Sequence, residues 1–133
     1  MRIVLDTNVL VSGLLSPHGP PGRIVDLFLD GTVTLLVDDR IVIEYREVLA
    51  RPRFRFDPAD ADAVLSFIDV AGERVAARHL SATVPDPYDL PFLEVAHAGR
   101  ADALVTGNAK HFRGATAVGV RVLSPAAFMK RRR

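Results

Sequence analysis

The stretch Met1-Arg2-Ile3-Val4-Leu5-Asp6-Thr7-Asn8 decides how the rest of the chain is read. Ile3, Val4 and Leu5 form a short apolar run that stops at Asp6, with Thr7, Asn8 and Ser12 close behind. The run is too short for a secretory signal, so it reads as a buried first strand. In an open α/β sheet, ligands gather beyond the carboxyl ends of the strands, where Asp6 falls. An acid there is either the N-cap of the next helix or the first ligand of a site. These residues alone leave both open.

Outward from that strand, residues 9–15 continue apolar as a short helix, and residues 16–22 (SPHGPPG) form a turn-rich loop. Ile24, Leu27 and Phe28 recur at helical spacing over 23–30, with Gly31 as the C-terminal stop. Residues 32–37 (TVTLLV) predict a second strand, and Asp38 or Asp39 a cap for a helix over 39–50 that Pro52 stops. Asp57 and Pro58 open a further helix that Gly72 closes. Residues 73–80 read as a short edge strand or an extended segment, and residues 85–91 (PDPYDLP) as a rigid turn into a helix over 90–99. Strands follow at 103–106 and 118–123, with a turn at 110–112 between them and Ser124-Pro125 capping a last helix. This alternation predicts one mostly parallel sheet with helices on both faces.

The 133 residues suit a single domain with a real core, over 1–128, followed by a basic tail over 129–133. Hydrophobic residues make up 49% and charged residues 25%, ordinary for a soluble protein. No apolar run nears the roughly 18–20 residues that span a bilayer, so the expected location is cytoplasmic, away from membranes. Cysteine is absent, so any metal must be held by oxygen or imidazole. Net charge is only +1, yet all but two of the 17 basic residues are Arg. Arg suits bidentate phosphate contacts, although a codon bias gives the same composition. Two clusters stand out: Arg51, Arg53 and Arg55, and the tail of Lys130, Arg131, Arg132 and Arg133.

Several acids fall at strand ends or helix starts. Asp6 closes the first strand, Glu44 lies about one turn into the helix after the second, and Asp86 and Asp89 sit in the Pro-rich turn. Asn108 follows the third long strand. Carboxylates gathered over one sheet edge repel each other unless a cation is present, and oxygen-only ligands favour Mg²⁺ or Mn²⁺. Each also has an ordinary reading. Asp6 can be a cap, Glu44 an i, i+4 partner of Arg40, and Asp86 and Asp89 turn residues. Asp38, Asp39, Asp57, Asp60 and Asp62 are assigned to caps and surface.

The ordered set resembles a known family. LDTNVLVS (5–12) is similar to the opening motif of PIN domains, Glu44 matches their second acid, and DPYDLPFLEVA (86–96) their third-acid segment. VTGNAKHF (105–112) matches the motif that follows, so the likeness covers nearly the whole chain and is nearest to the toxin-like subfamily, broadly VapC-like. It implies a three-layer α/β/α sandwich around a mostly parallel sheet of four to five strands. It also implies a Mg²⁺- or Mn²⁺-dependent ribonuclease of a bacterial toxin–antitoxin pair, with a small antitoxin partner and a homodimer. Asp6, Glu44 and Asp89 match the metal ligands and catalytic acids, with Asp86 the competing third position. Asn108 stands where many members carry a fourth acid, bringing an amide without charge. Asn8, Ser12 and Thr106 match positions that orient the acids.

Glu94 lies five residues past Asp89, about 140° round a helix, which favours a supporting or surface role over ligation. His97 and His111 lack metal-ligand spacing and read as ordinary, with His111 a possible contact to substrate phosphate. The Arg cluster and the tail are candidate RNA-phosphate contacts. Two other readings stay open: a non-catalytic PIN domain that binds RNA or a partner, and a receiver-type regulatory domain, for which Lys110 is the sole available lysine.

Overall fold

A computed structural model describes residues 1–81 and 84–132. Five strands form one wholly parallel sheet: β1 (Arg2–Leu5), β2 (Thr34–Val37), β3 (Glu73–Arg74), β4 (Ala103–Val105) and β5 (Val122–Leu123), in the order β3-β2-β1-β4-β5. Ile3 pairs with Leu35 on one side and Ala103 on the other, so β1 is central and buried on both faces. That is why its sequence is a continuous apolar run and does not alternate.

Among the described residues six α-helices surround the sheet: α1 (Thr7–Leu15), α2 (Pro20–Leu29), α3 (Asp39–Leu49), α4 (Pro58–Ala71), α5 (Leu90–Ala98) and α6 (Pro125–Arg131). α1 packs on α2, and Phe28 of α2 meets Phe67 of α4 edge-on at 5.0 Å, so these helices lie together over one face. α5 packs on β1, β2 and β4 from the other face, and α3 touches α1, α4 and α5. The expected α/β/α architecture is therefore present. Three caps read from the sequence are in place: Asp38 accepts from the Ile41 amide, Asp57 from Ala59 and Ser124 from Ala127.

Two boundaries differ from expectation. The loop ends at Gly19, because Pro20 and Pro21 occupy the first helical positions, where a missing N–H costs nothing. Gly22 then lies against Pro17, whose carbonyl oxygen would stand 2.2 Å from an added Cβ. Gly22→Ala is expected to destabilise the fold by about 1–3 kcal/mol in urea unfolding, since backbone has to give way. At the other end, β5 is only two residues long. Gly119 has φ +76 and the Val120 amide turns back to Ala115, so no strand can start at 118. A 3-10 turn over Thr116–Val118 precedes it.

Candidate functional site

Strand order reverses between β1 and β4, which makes their carboxyl ends the topological switch point of the sheet. Asp6 leaves β1 there, and its amide donates to Val105 of β4. It holds the N-cap position of α1 but makes no capping bond with its side chain. Instead, Oδ2 accepts from the Thr106 hydroxyl at 2.7 Å, just past β4. The carboxylate is 5% exposed. Burial raises its pKa, and the Thr106 hydrogen bond only partly opposes this.

Glu44 comes from α3. The sequence left open a pairing with Arg40 one turn earlier, but Arg40 faces Asp38 and Glu94, and Glu44 accepts from the Thr7 hydroxyl of α1. Burial raises the Glu44 carboxyl above its usual range, the Thr7 bond opposes, and the negative charge of Asp6 adds to the rise. The next residue, Tyr45, is fully buried and donates its O–H to the Leu5 carbonyl, which pins α3 beneath Asp6. Thr7, expected to support Asp6, supports Glu44 instead, and Tyr45 gave no signal in the sequence because a hydroxyl in an apolar stripe looks like helix packing.

Asp89 ends a 3-10 turn (Pro87–Asp89) and leads into α5. Its carboxyl is pushed up to about 6, first by burial, then by the charge of Asp6, with Asp86 and Glu44 adding and His111 opposing. Its Oδ2 is buried with no hydrogen-bond partner among the described residues. Asp86 is exposed and spends Oδ1 on the Tyr88 amide, the ordinary task of an Asp before a turn.

His111 sits closer to the acids than its spacing suggested. Its Nδ1 lies 3.4 Å from Asp89 Oδ2, without hydrogen-bond geometry, and its Nε2 lies 3.0 Å from Asn108 Nδ2. When the Asn108 amide donates to Nε2, the ring proton resides on Nδ1, facing Asp89. Asn108 is thus engaged with a histidine, and its backbone N–H with Thr106 Oγ1. His97 has a plainly structural contact, Nδ1 to the Val118 carbonyl at 2.9 Å.

Asn8 and Ser12 are exposed, and their side chains make no hydrogen bond among the described residues. Glu94 is 2% exposed; its Oε1 accepts from Arg40 Nη1 at 2.7 Å and its Oε2 from the Leu80 amide at 2.8 Å. Arg51, Arg53 and Arg55 are exposed around the 3-10 turn Pro52–Phe54 and form no ion pair among the described residues. Lys130 and Arg131 lie in α6, and Arg132, its C-cap, is close enough to be felt electrostatically by Asp30, which precedes β2, whereas Asp6 follows the carboxyl end of β1. Arg133 lies outside the described residues.

Glu44 and Asp89 each feel the charge of Asp6, and Asp89 that of Glu44 too. Carboxylates held this way, each above its usual pKa, are what a hard cation would relieve. The donors are oxygen, and Asp89 Oδ2 is an orphan acceptor, so the residues fit Mg²⁺ or Mn²⁺. Among the described residues no three His, Asp or Glu side chains form a set able to hold a metal directly. Ligation partly through water, which Mg²⁺ prefers, is the arrangement that fits.

The model of the PIN domain family matches residues 2–110. An uncharacterised protein of Methanocaldococcus jannaschii is 33% identical over 55 residues, covering 41% of this chain and 36% of that protein's length. Among solved structures, VapBC2 from Rickettsia felis, bound to a DNA fragment from its promoter, superposes with TM-score 0.59 and 17% identity. That alignment covers 93% of this chain and 98% of the other, and it shows a shared fold. No helix among the described residues is long and apolar enough to cross a membrane.

Proposed function

The chain belongs to the PIN domain family, and from that premise we propose that it is a Mg²⁺- or Mn²⁺-dependent endoribonuclease, the toxin of a toxin–antitoxin pair. The orphan Oδ2 of Asp89, buried beside two other carboxylates at the switch point, is the observation that carries this reading. Asp6, Glu44 and Asp89 would hold the cation, Asp6 steadied by Thr106 and Glu44 by Thr7. When bound, such a cation stabilises charge on the attacked phosphate and makes water easier to deprotonate near neutral pH.

The remaining work falls to the chain's own groups. Asp89 or Glu44, beside the attacked phosphate, would steer an attacking water or take its proton. Water adds to phosphorus, the P–O3′ bond breaks, and the leaving 3′ oxygen takes up a proton. The products are a 5′-phosphate and a 3′-hydroxyl. Asn108, turned to His111, brings no fourth charge, which favours one tightly held cation over two. Membership of the PIN family sets the receiver-type reading aside. Likeness to one half of a VapBC complex supports a small antitoxin partner. A homodimer and a cytoplasmic location are proposed with it.

Purified protein is expected to cut single-stranded RNA with Mg²⁺ or Mn²⁺ and to stop in excess EDTA. Equal degradation in EDTA, or cleavage untouched by Asp6→Asn, overturns the proposal. A protein that binds RNA without cutting it under either condition supports the non-catalytic reading instead.

A further inference from the structure

Between the end of α3 and the start of α4 lies a cavity of about 200 Å³. Leu49, Phe56 and Leu65 line its interior, the two leucines buried and Phe56 half-buried. Arg46, Arg51 and Arg55 also line it; all three are exposed. None of these three guanidinium groups donates a hydrogen bond or joins an ion pair among the described residues. Asp62 is the one acid in the lining, which leaves an excess of two positive charges. Three guanidinium groups around an apolar slot, only partly balanced by Asp62, suit a ligand with a flat apolar body and anionic flanks. The cavity is smaller than the few hundred Å³ of a typical small-molecule site, so one planar ring system fits.

Its place relative to the acids narrows the ligand further. The Arg51 amide still bonds to the Val48 carbonyl, so the helical path of α3 runs on to Arg51. Seven residues separate Glu44 from Arg51, which puts them about 10 Å apart on the same side of that path. A strand that has its phosphate at the acids and follows that path would pass Arg51 next.

We propose that this cavity seats one base of the RNA substrate near the cut, its ring against Phe56 and its flanking phosphates on Arg51 and its neighbours. The proposal rests on the ribonuclease reading and adds a subsite to it. Base-against-aromatic packing of this kind is sequence-tolerant and contributes about 5- to 150-fold in affinity per base. The site would therefore fix the register of a strand on the enzyme, while the arginines set its salt dependence.

The test is equilibrium binding of a fluorescently labelled single-stranded RNA to the wild-type protein in EDTA, where no cutting occurs. A series of oligonucleotides, each abasic at one position, is compared with the parent. One position is expected to lose at least about fivefold in affinity, and the same position to lower kcat/KM when Mg²⁺ is restored. Ala61→Leu, which places a larger side chain into the cavity lining, is expected to remove that position's advantage while leaving the abasic strand's affinity unchanged. Arg51→Gln is expected to lower the slope of log affinity against log salt by about one. Flat abasic profiles with intact RNA cleavage overturn the subsite and leave the nuclease standing. Failure to bind or cut RNA at all overturns both. An Ala61→Leu protein that binds RNA like wild type but loses a peptide partner assigns the cavity to that partner and overturns the RNA subsite.

Discussion

Asp89→Asn is expected to stabilise the metal-free protein at pH 7.5 by about 2–3 kcal/mol while lowering metal-dependent cleavage by about 10²–10³-fold. The stability half follows from the sign of the pKa shift. Asp89 titrates near 6 in the folded chain against an ordinary 3.8, and its side chain is 16% exposed. Between those two values the folded protein binds more protons than the unfolded chain, so stability falls as pH rises through that window. Above about 6 the full cost of holding the ionised carboxylate beside Asp6 and Glu44 is present. Asparagine carries no charge and escapes it. Urea midpoints of wild type and variant are expected to converge at pH 4 and separate at pH 7.5. Added Mg²⁺ is expected to close the gap by stabilising only the wild type. Equal midpoints at pH 7.5 sink the electrostatic account, whatever happens to activity.

That prediction needed coordinates, although the identity of the residue did not. Ile3, Val4 and Leu5 announced a buried strand because a strand buried on both faces has no room for alternation. Asp57-Pro58 and Ser124-Pro125 announced helix starts because cap chemistry is local. What the sequence could not separate was Asp6 as cap from Asp6 as ligand, since both roles want an acid at the same position. The difference lies in the Thr106 hydroxyl, 100 residues away, which donates to Oδ2 and acts on the carboxyl more strongly than either the Thr7 or the Asn8 amide of α1. The same holds for Glu44: Arg40 is its neighbour along the helix, and Thr7 is its neighbour only across the fold. His111 was read as ordinary or as a phosphate contact, not as a neighbour of the acids, because its partners, Asn108 and Asp89, do not share a ligand spacing with it. Local chemistry was readable, whereas partners supplied by tertiary packing were not. The failure at Gly119 is of another kind, because Val118, Val120 and Val122 have a strand's alternation and one left-handed glycine cancels it.

Glu94→Ala is expected to cost about 2–4 kcal/mol of stability at pH 7, with cleavage reduced as a consequence. Both oxygens of this buried carboxylate are in use, one on Arg40 and one on the Leu80 amide, with His79 Nδ1 3.2 Å away. Truncation leaves a part-buried N–H without its acceptor and Arg40 without one of its two partners. Arg40 is 48% exposed and can turn to water, which keeps the cost below that of a fully buried pair. Burial alone would raise the Glu94 carboxyl, but Arg40 and the Leu80 amide outweigh it and hold the group below its ordinary value. The contribution is therefore complete above the unfolded pKa of about 4.5 and fades as pH falls through the folded one. The pH signature is opposite to that of Asp89→Asn, whose gain grows as pH rises. Glu94→Gln keeps hydrogen bonding and loses charge, so it is expected to fall between wild type and alanine. The link to function runs through the helices: Arg40 is one turn before Glu44 on α3, and Glu94 follows Asp89 on α5. Their ion pair joins α3, which carries Glu44 at its middle, to α5, whose N-cap is Asp89. A Glu94→Ala protein with unchanged urea midpoint at pH 7 would show that this bridge contributes nothing, and that the acids are held by Tyr45 and the sheet alone.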